Sequence, residues 1–138
     1  MIRRDRVLRA LNFQPADQLP KDLGGMPSTC ISCFAYPLLV AALGLPPRPT
    51  RVYDTSQMLA LPDVDVLDAL DCDVVTLTLQ ITNAYHQPEV WKPYTFNGRL
   101  DATVQDPSVF ETRPDGTIFQ RTNQSTMPPS SHVFETEH

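Results

Sequence analysis

Chemically able side chains gather at a few places in this chain. The first is Asp22-Leu23-Gly24-Gly25, a carboxylate followed by two glycines. A carboxylate there can bind a substrate amine or hydroxyl, or hold an arginine. It can equally accept hydrogen bonds from the amides of its own turn. Glycines permit backbone angles and close approaches that a Cβ blocks. They lack the G-x-G-x-x-G and Walker spacings, so no phosphate loop is implied. The second place is Cys30-x-x-Cys33. A structural zinc site needs four ligands, and Cys72, His86, His132 and His138 supply no second pair at matching spacing. The plainer reading is two small side chains packing a helix start.

The aspartates 63, 65, 68, 71 and 73 lack the glycine and glutamate of a calcium loop. Asp65, Asp68 and Asp71 step by three, which predicts a solvated helix face. His86 lies in Tyr85-His86-Gln87-Pro88, just beyond a predicted strand. An imidazole titrates near neutrality and can serve acid–base chemistry, or simply sit on a surface loop. Trp91, Tyr94 and Phe96 could flank a ligand, though packing explains them more simply.

Elements must position these groups. Arg3 to Leu11 predicts an amphipathic helix with Val7, Leu8 and Leu11 on one face and Arg3, Arg4, Arg6 and Arg9 largely off it. Pro15 and Pro20 bracket a turn, and a brief strand then ends at Asp22. Ser28 to Gly44 reads as helix, and Pro37 sets its start near Phe34. Pro46-Pro47-Arg48-Pro49 is a stiff, extended linker. A short helix is predicted over Val52–Ala60, with Val52, Met58 and Leu59 as core contacts. A second follows Pro62, with Asp63 as N-cap and Val64, Leu67 and Leu70 at helical spacing. Asp73 to Leu79 is the best strand. Tyr94-Thr95-Phe96-Asn97-Gly98 carries a hairpin signal, and a second hairpin is expected around Pro114-Asp115-Gly116. The two could share one small sheet. Thr122–Pro129 reads as loop, and the final tail has no clear pattern.

The chain has 138 residues, enough for one ordinary domain. Its net charge of −5 argues against nucleic acid as a main partner. No apolar run approaches the ~18 residues of a membrane span, and no secretory signal is evident. Three cysteines, an odd count, fit a reducing cytoplasm.

The run RVLRALNFQPADQLPKDLGG, followed by RVYDTSQMLALPDVDVLDALDCDVV, resembles the N-terminal part of the uroporphyrinogen decarboxylase superfamily. It is most similar to the corrinoid methyltransferase-like branch. W-K-P-Y, P-D-G and M-P further on also have counterparts, so the resemblance covers most of residues 3–135. It implies an α/β fold: the N-terminal portion of a (β/α)8 TIM barrel with a small β-hairpin insertion. Residues 1–90 would form the N-terminal helix and first two β/α units, and 91–138 the β-rich insertion and tail. Such a barrel needs about 250 residues, so the chain is expected to be a fragment or subunit completed by the remaining half or a partner chain.

The resemblance places Asp22, Gly24, Gly25, Gln80 and His86 about the substrate. Gln80 falls where the decarboxylases carry a catalytic aspartate, and the first segment, KDLGGMPSTC, has no arginine for a polycarboxylate substrate. Both departures weigh against the namesake decarboxylation of tetrapyrrole biosynthesis. The methyltransferase-like branch is then the expectation, with zinc and a corrinoid partner belonging to the complete enzyme, no zinc ligand in this chain, and a small-molecule substrate. A non-catalytic interaction module derived from the same fold is the alternative from another class.

Overall fold

The computed structural model describes residues 1–77 and 87–136. Helix α1 spans Arg3–Leu11, as its periodicity predicts. Its faces are used differently, however. Arg6 is its buried residue, while Leu8 and Leu11 are 40% and 70% exposed. The Arg6 guanidinium donates to Asp17 at 2.9 and 3.1 Å and also to Asp73 Oδ1. Asp73 has a fully buried side chain. Its other oxygen accepts the Lys21 N–H at 2.9 Å, and its own N–H donates to the Lys21 carbonyl at 2.8 Å. One ion pair therefore ties α1, the 17–21 turn and the 73–77 segment together.

Helix α2 spans Tyr36–Ala42 with Pro37 in its first turn, where a missing N–H costs nothing. Gly44 follows at a φ of +69° and ends it. Helix α3 spans Val64–Ala69. Asp63 precedes it, but its side chain does not cap the helix amides. It accepts instead from the Tyr36 hydroxyl at 2.7 Å and from Arg51. The same hydroxyl accepts the Asp63 N–H at 2.7 Å, locking α2 to the start of α3.

Eight short strands complete the fold: β1 Thr50–Asp54, β2 Leu59–Ala60, β3 Lys92–Tyr94, β4 Ala102–Val104, β5 Phe110–Thr112, β6 Ile118–Gln120, β7 Ser125–Met127 and β8 Glu135–Thr136. They form two four-stranded sheets, ordered β2-β1-β4-β3 and β5-β6-β7-β8. The β1–β4 pair is parallel, with Thr50 opposite Ala102, and every other pair is antiparallel.

This architecture overturns the expected barrel portion. A (β/α)8 barrel alternates parallel strands with helices. Here the strands pair mostly antiparallel in two sheets, with three short helices beside them. Two local causes are visible. The Val52–Ala60 stretch is not a helix, because the Asp54 carboxylate accepts the N–H groups of Ser56 and Gln57 at 2.8 Å each. That turn, with Met58 at a φ of 52°, folds the segment into the β1–β2 hairpin. Among the described residues, the predicted strands before Asp22 and from Asp73 share one backbone hydrogen bond and neither enters a sheet, while Thr78 and Leu79 of the second lie outside the described residues. The expected hairpins occur as β3–β4 and β5–β6, but in different sheets. Strands β7 and β8 form where a loop and a patternless tail were expected.

The sheets meet through aromatic rings. Tyr94 stacks on Phe110 at 4.9 Å and meets Phe96 edge-on at 4.7 Å, and Phe110 lies 5.8 Å from Phe134. Tyr36, Val52, Met58, Val104, Ile118 and Met127 share this core. Phe110→Ala should cost about 3–5 kcal/mol in urea unfolding, the usual range for deleting a buried ring.

The N-terminal clip has an acid signature. The hydrogen bond from Arg6 holds the Asp17 carboxyl well below the usual carboxylate range, with the Gln18 N–H assisting and partial burial opposing. A depressed carboxyl stabilises the fold fully above the unfolded value of about 4 and loses that contribution as pH falls toward the folded value. Amide protection along α1, taken relative to the intrinsic exchange rate at each pH, should therefore be full at neutral pH and fall only below about pH 4. Asp17→Asn should lower that protection at neutral pH and flatten its pH dependence.

Candidate functional site

The turn after Lys21 brings three of the candidate residues together. The Asp22 carboxylate accepts the Gly25 N–H at 2.8 Å, so it closes its own turn. Asp22 remains exposed, and its second oxygen has no hydrogen-bond partner among the described residues. Gly24 is buried at a φ of +80°, and a Cβ there would lie 2.7 Å from the Pro62 ring. A Cβ on Gly25 would lie 2.6 Å from Asp22 Oδ1 and 2.8 Å from Val74 Cγ1. Both glycines are therefore demanded by packing, whatever else they do. Gln80 and His86 lie outside the described residues.

Cys30 lies beside this turn, its Sγ 3.6 Å from a Cβ placed on Gly24. Cys33 is fully buried, and the Cys30 thiol donates to the Met26 carbonyl at 3.4 Å. Burial, with the Asp22 charge adding, pushes the Cys30 thiol up to about 11. Burial also raises Cys33 and Cys72. None of these thiols is a ready thiolate, the form that attacks or binds metal. Among the described residues no cluster of three His, Cys, Asp or Glu side chains is placed to hold a metal ion.

The aspartates on α3 and beyond are not simply solvated. Asp65 takes Arg48 at 2.7 Å, Asp68 takes Arg3 at 2.7 Å, and Asp71 takes the Gln18 amide at 2.8 Å. The acidic run pairs with Arg3 and Arg6 of α1 and with Arg48 of the proline-rich linker.

Two features went unread in the sequence. One is a cleft of about 570 Å³ lined by Phe34, Pro37, Pro47, Arg48, Arg99 and Asp101, among others. Arg99 lies over the Phe34 ring at 5.2 Å and donates to the carbonyls of Pro128 and Ser131. The Pro46–Pro49 run was the available signal, because a stiff extended segment makes a good cleft wall. The other is the surface around Asp73–Val75. Hollows of about 270 and 420 Å³ flank this segment, the first bounded by Val64 and Leu67 of α3 and the second by Val7 and Leu8 of α1. Val75 and Leu77 are 53% and 82% exposed. No helix among the described residues is long and apolar enough to cross a membrane.

No family model, curated protein or solved structure matches the chain.

The thiol environment is directly measurable. Alkylation of Cys30 by iodoacetamide should be slow at neutral pH and climb toward pH 11, while Cys33 should react only on unfolding. Fast labelling of Cys30 at pH 7 would show a thiolate that this environment does not support.

Proposed function

We propose that the chain is a cytoplasmic component of an enzyme similar to the uroporphyrinogen decarboxylase superfamily, in its corrinoid methyltransferase-like branch, and is inactive by itself. The order and spacing of RVLRALN, DLGG and RVYDTSQMLA support the family reading. One geometric observation carries the dependence on another chain. The segments ending at Asp22 and starting at Asp73 are clipped together, yet their surroundings stay open: Phe13, Leu19 and Leu77 are 99%, 86% and 82% exposed. Exposed apolar surface of this kind marks association sites. In this reading the free oxygen of Asp22 meets a polar group of the small-molecule substrate once the assembly encloses the turn. The zinc and the corrinoid come from outside the described residues, and nucleic acid and membranes are not partners.

The namesake decarboxylation is the weaker enzyme reading, because the DLGG segment carries no arginine fork for a polycarboxylate. The non-catalytic interaction module draws on the same open surface.

The chain should be assayed alone and as the assembly purified with its native partner, using methylcob(III)alamin and a thiol acceptor. Methyl transfer is expected from the assembly and none from the chain alone. Asp22→Ala should raise the assembly's KM about tenfold, as loss of one substrate contact would. Decarboxylation of uroporphyrinogen instead would establish the namesake reaction. An assembly that turns over neither substrate would leave the interaction module, and transfer by the isolated chain would overturn the proposed dependence.

A further inference from the structure

The turn that joins β3 to β4 is left-handed through Phe96, Asn97 and Gly98, at φ of 48°, 59° and 76°. Asparagine and glycine tolerate that region, whereas phenylalanine does not. Phe96 is held there by its ring, which is fully buried against Tyr94 and Phe110. The Arg99 N–H donates to the Phe96 carbonyl at 3.3 Å and the Leu100 N–H to the Thr95 carbonyl at 3.1 Å, which closes the turn. The Gly98 N–H donates to the Thr95 hydroxyl at 3.2 Å. Asn97 and Gly98 are both exposed, and a Cβ on Gly98 would meet nothing within 4 Å. Water therefore reaches the peptide bond between them.

We propose that Asn97–Gly98 is a self-modifying site, latched by the Thr95 hydroxyl, whose conversion to isoaspartate loosens the C-terminal tail. Water is the sole co-reactant. The Gly98 nitrogen gives up its proton to base and attacks Asn97 Cγ. A C–N bond forms and closes a cyclic imide. The Cγ–Nδ2 bond breaks, and the side-chain nitrogen takes a proton and leaves as ammonia. Water then adds to one imide carbonyl and opens the ring. The product is aspartate or, where the chain now runs through Cγ, isoaspartate. Nothing is oxidised or reduced. Glycine suits the attacking position because it has no side chain to crowd the nitrogen. Asn12 and Asn123 precede Phe13 and Gln124, which do crowd it.

The fold controls this chemistry. In the closed turn the attacking N–H is spent on Thr95 Oγ1, which holds its proton in place. Attack therefore waits for the turn to open locally. The consequence runs through Arg99, the last residue of the turn. Its guanidinium donates to the carbonyls of Pro128, at 3.4 Å, and Ser131. The Asn97 amide and the tail also meet at one spot: a Cβ on Gly116 would lie 3.2 Å from the Pro129 ring and 3.5 Å from Asn97 Nδ2. Isoaspartate lengthens the backbone inside the turn and puts a carboxylate there, so the bonds that set Arg99 no longer fit. The tail, which continues to the Phe134 N–H on the Ser56 carbonyl at 2.9 Å, then loses an anchor.

The inference is independent of the catalytic reading, since its test reads the mass of one residue and amide protection rather than turnover. The full chain should be held for weeks in mildly alkaline buffer, folded and in urea, and the peptide bearing Asn97 followed by mass spectrometry. The amide-to-acid mass gain is expected at Asn97 and not at Asn12 or Asn123, slowly in the folded chain and faster in urea. Thr95→Val should speed it about fivefold in the folded chain, the factor that loss of one ordinary hydrogen bond allows. Thr95→Ser keeps the hydroxyl and should keep the original rate. Unaltered circular dichroism of both variants confirms that they fold. In the converted protein the Phe134 amide should exchange faster. A folded chain that keeps its amide while the chain in urea converts fully, with Thr95→Val no faster, overturns the inference. So does conversion at equal rates folded and in urea, or unchanged Phe134 protection in the isoaspartate form.

Discussion

The buried contact between Arg6 and Asp73 is the constraint on which the N-terminal third depends. A carboxylate removed from water needs compensation from opposite charge and from hydrogen-bond donors. Asp73 receives both: the guanidinium on one oxygen and the Lys21 N–H on the other. Arg6 is likewise shared between Asp73 and Asp17. Through these bonds a helix with little buried apolar surface is held to the body. The Leu8–Leu11 stripe, which periodicity would have buried, stays open as a result, and the glycine turn is set against Val74 and Pro62.

Legibility in the sequence divided along physical lines. Features with a local cause were readable. Pro37 fixed the start of α2, and the Pro-Asp-Gly turn joined β5 to β6. Features decided by distant partners were not. Arg6 sits among three other arginines, and nothing in its neighbourhood distinguishes the one that meets a carboxylate 67 residues away. The helical spacing around Val52–Ala60 was real but lost to the Asp54 turn, because a short acidic side chain that satisfies two amides ends a helix before it begins. The Asp22 turn was readable as chemistry and as architecture, and both readings stand in the one side chain: one oxygen is spent on Gly25 and the other is open.

The sheets show how far strand propensity can mislead. Asp73–Leu77 has the best strand composition of the chain, yet lies outside both sheets. Ser125–Met127, in a stretch read as loop, is an interior strand of the second sheet, buried along its whole length. Pairing supplies what composition cannot. β7 lies between β6 and β8, with Ile118 opposite Met127 and Ser125 opposite Thr136. The acidic run shows the same lesson in electrostatics. The spacing of Asp65 and Asp68 fits a wet helix face, but arginines arriving from the proline linker and from α1 turn it into a set of struts.

The parallel register of β1 on β4 bears on how the chain is made. Thr50 and Arg51 meet Ala102 and Thr103, so β1 has to wait for about fifty more residues before its partner exists. At ribosomal speeds of roughly 5–20 residues per second that wait lasts some seconds, long compared with the microseconds in which the β1–β2 hairpin can close. During it, Val52 and Met58, both destined for the interior, have only the nascent hairpin and the already synthesised Cys33–Val40 stretch to cover them. Synthesis thus includes an interval in which a half-built sheet is exposed to chaperones, and the tempo of translation between residues 60 and 104 becomes part of what determines the yield of folded protein.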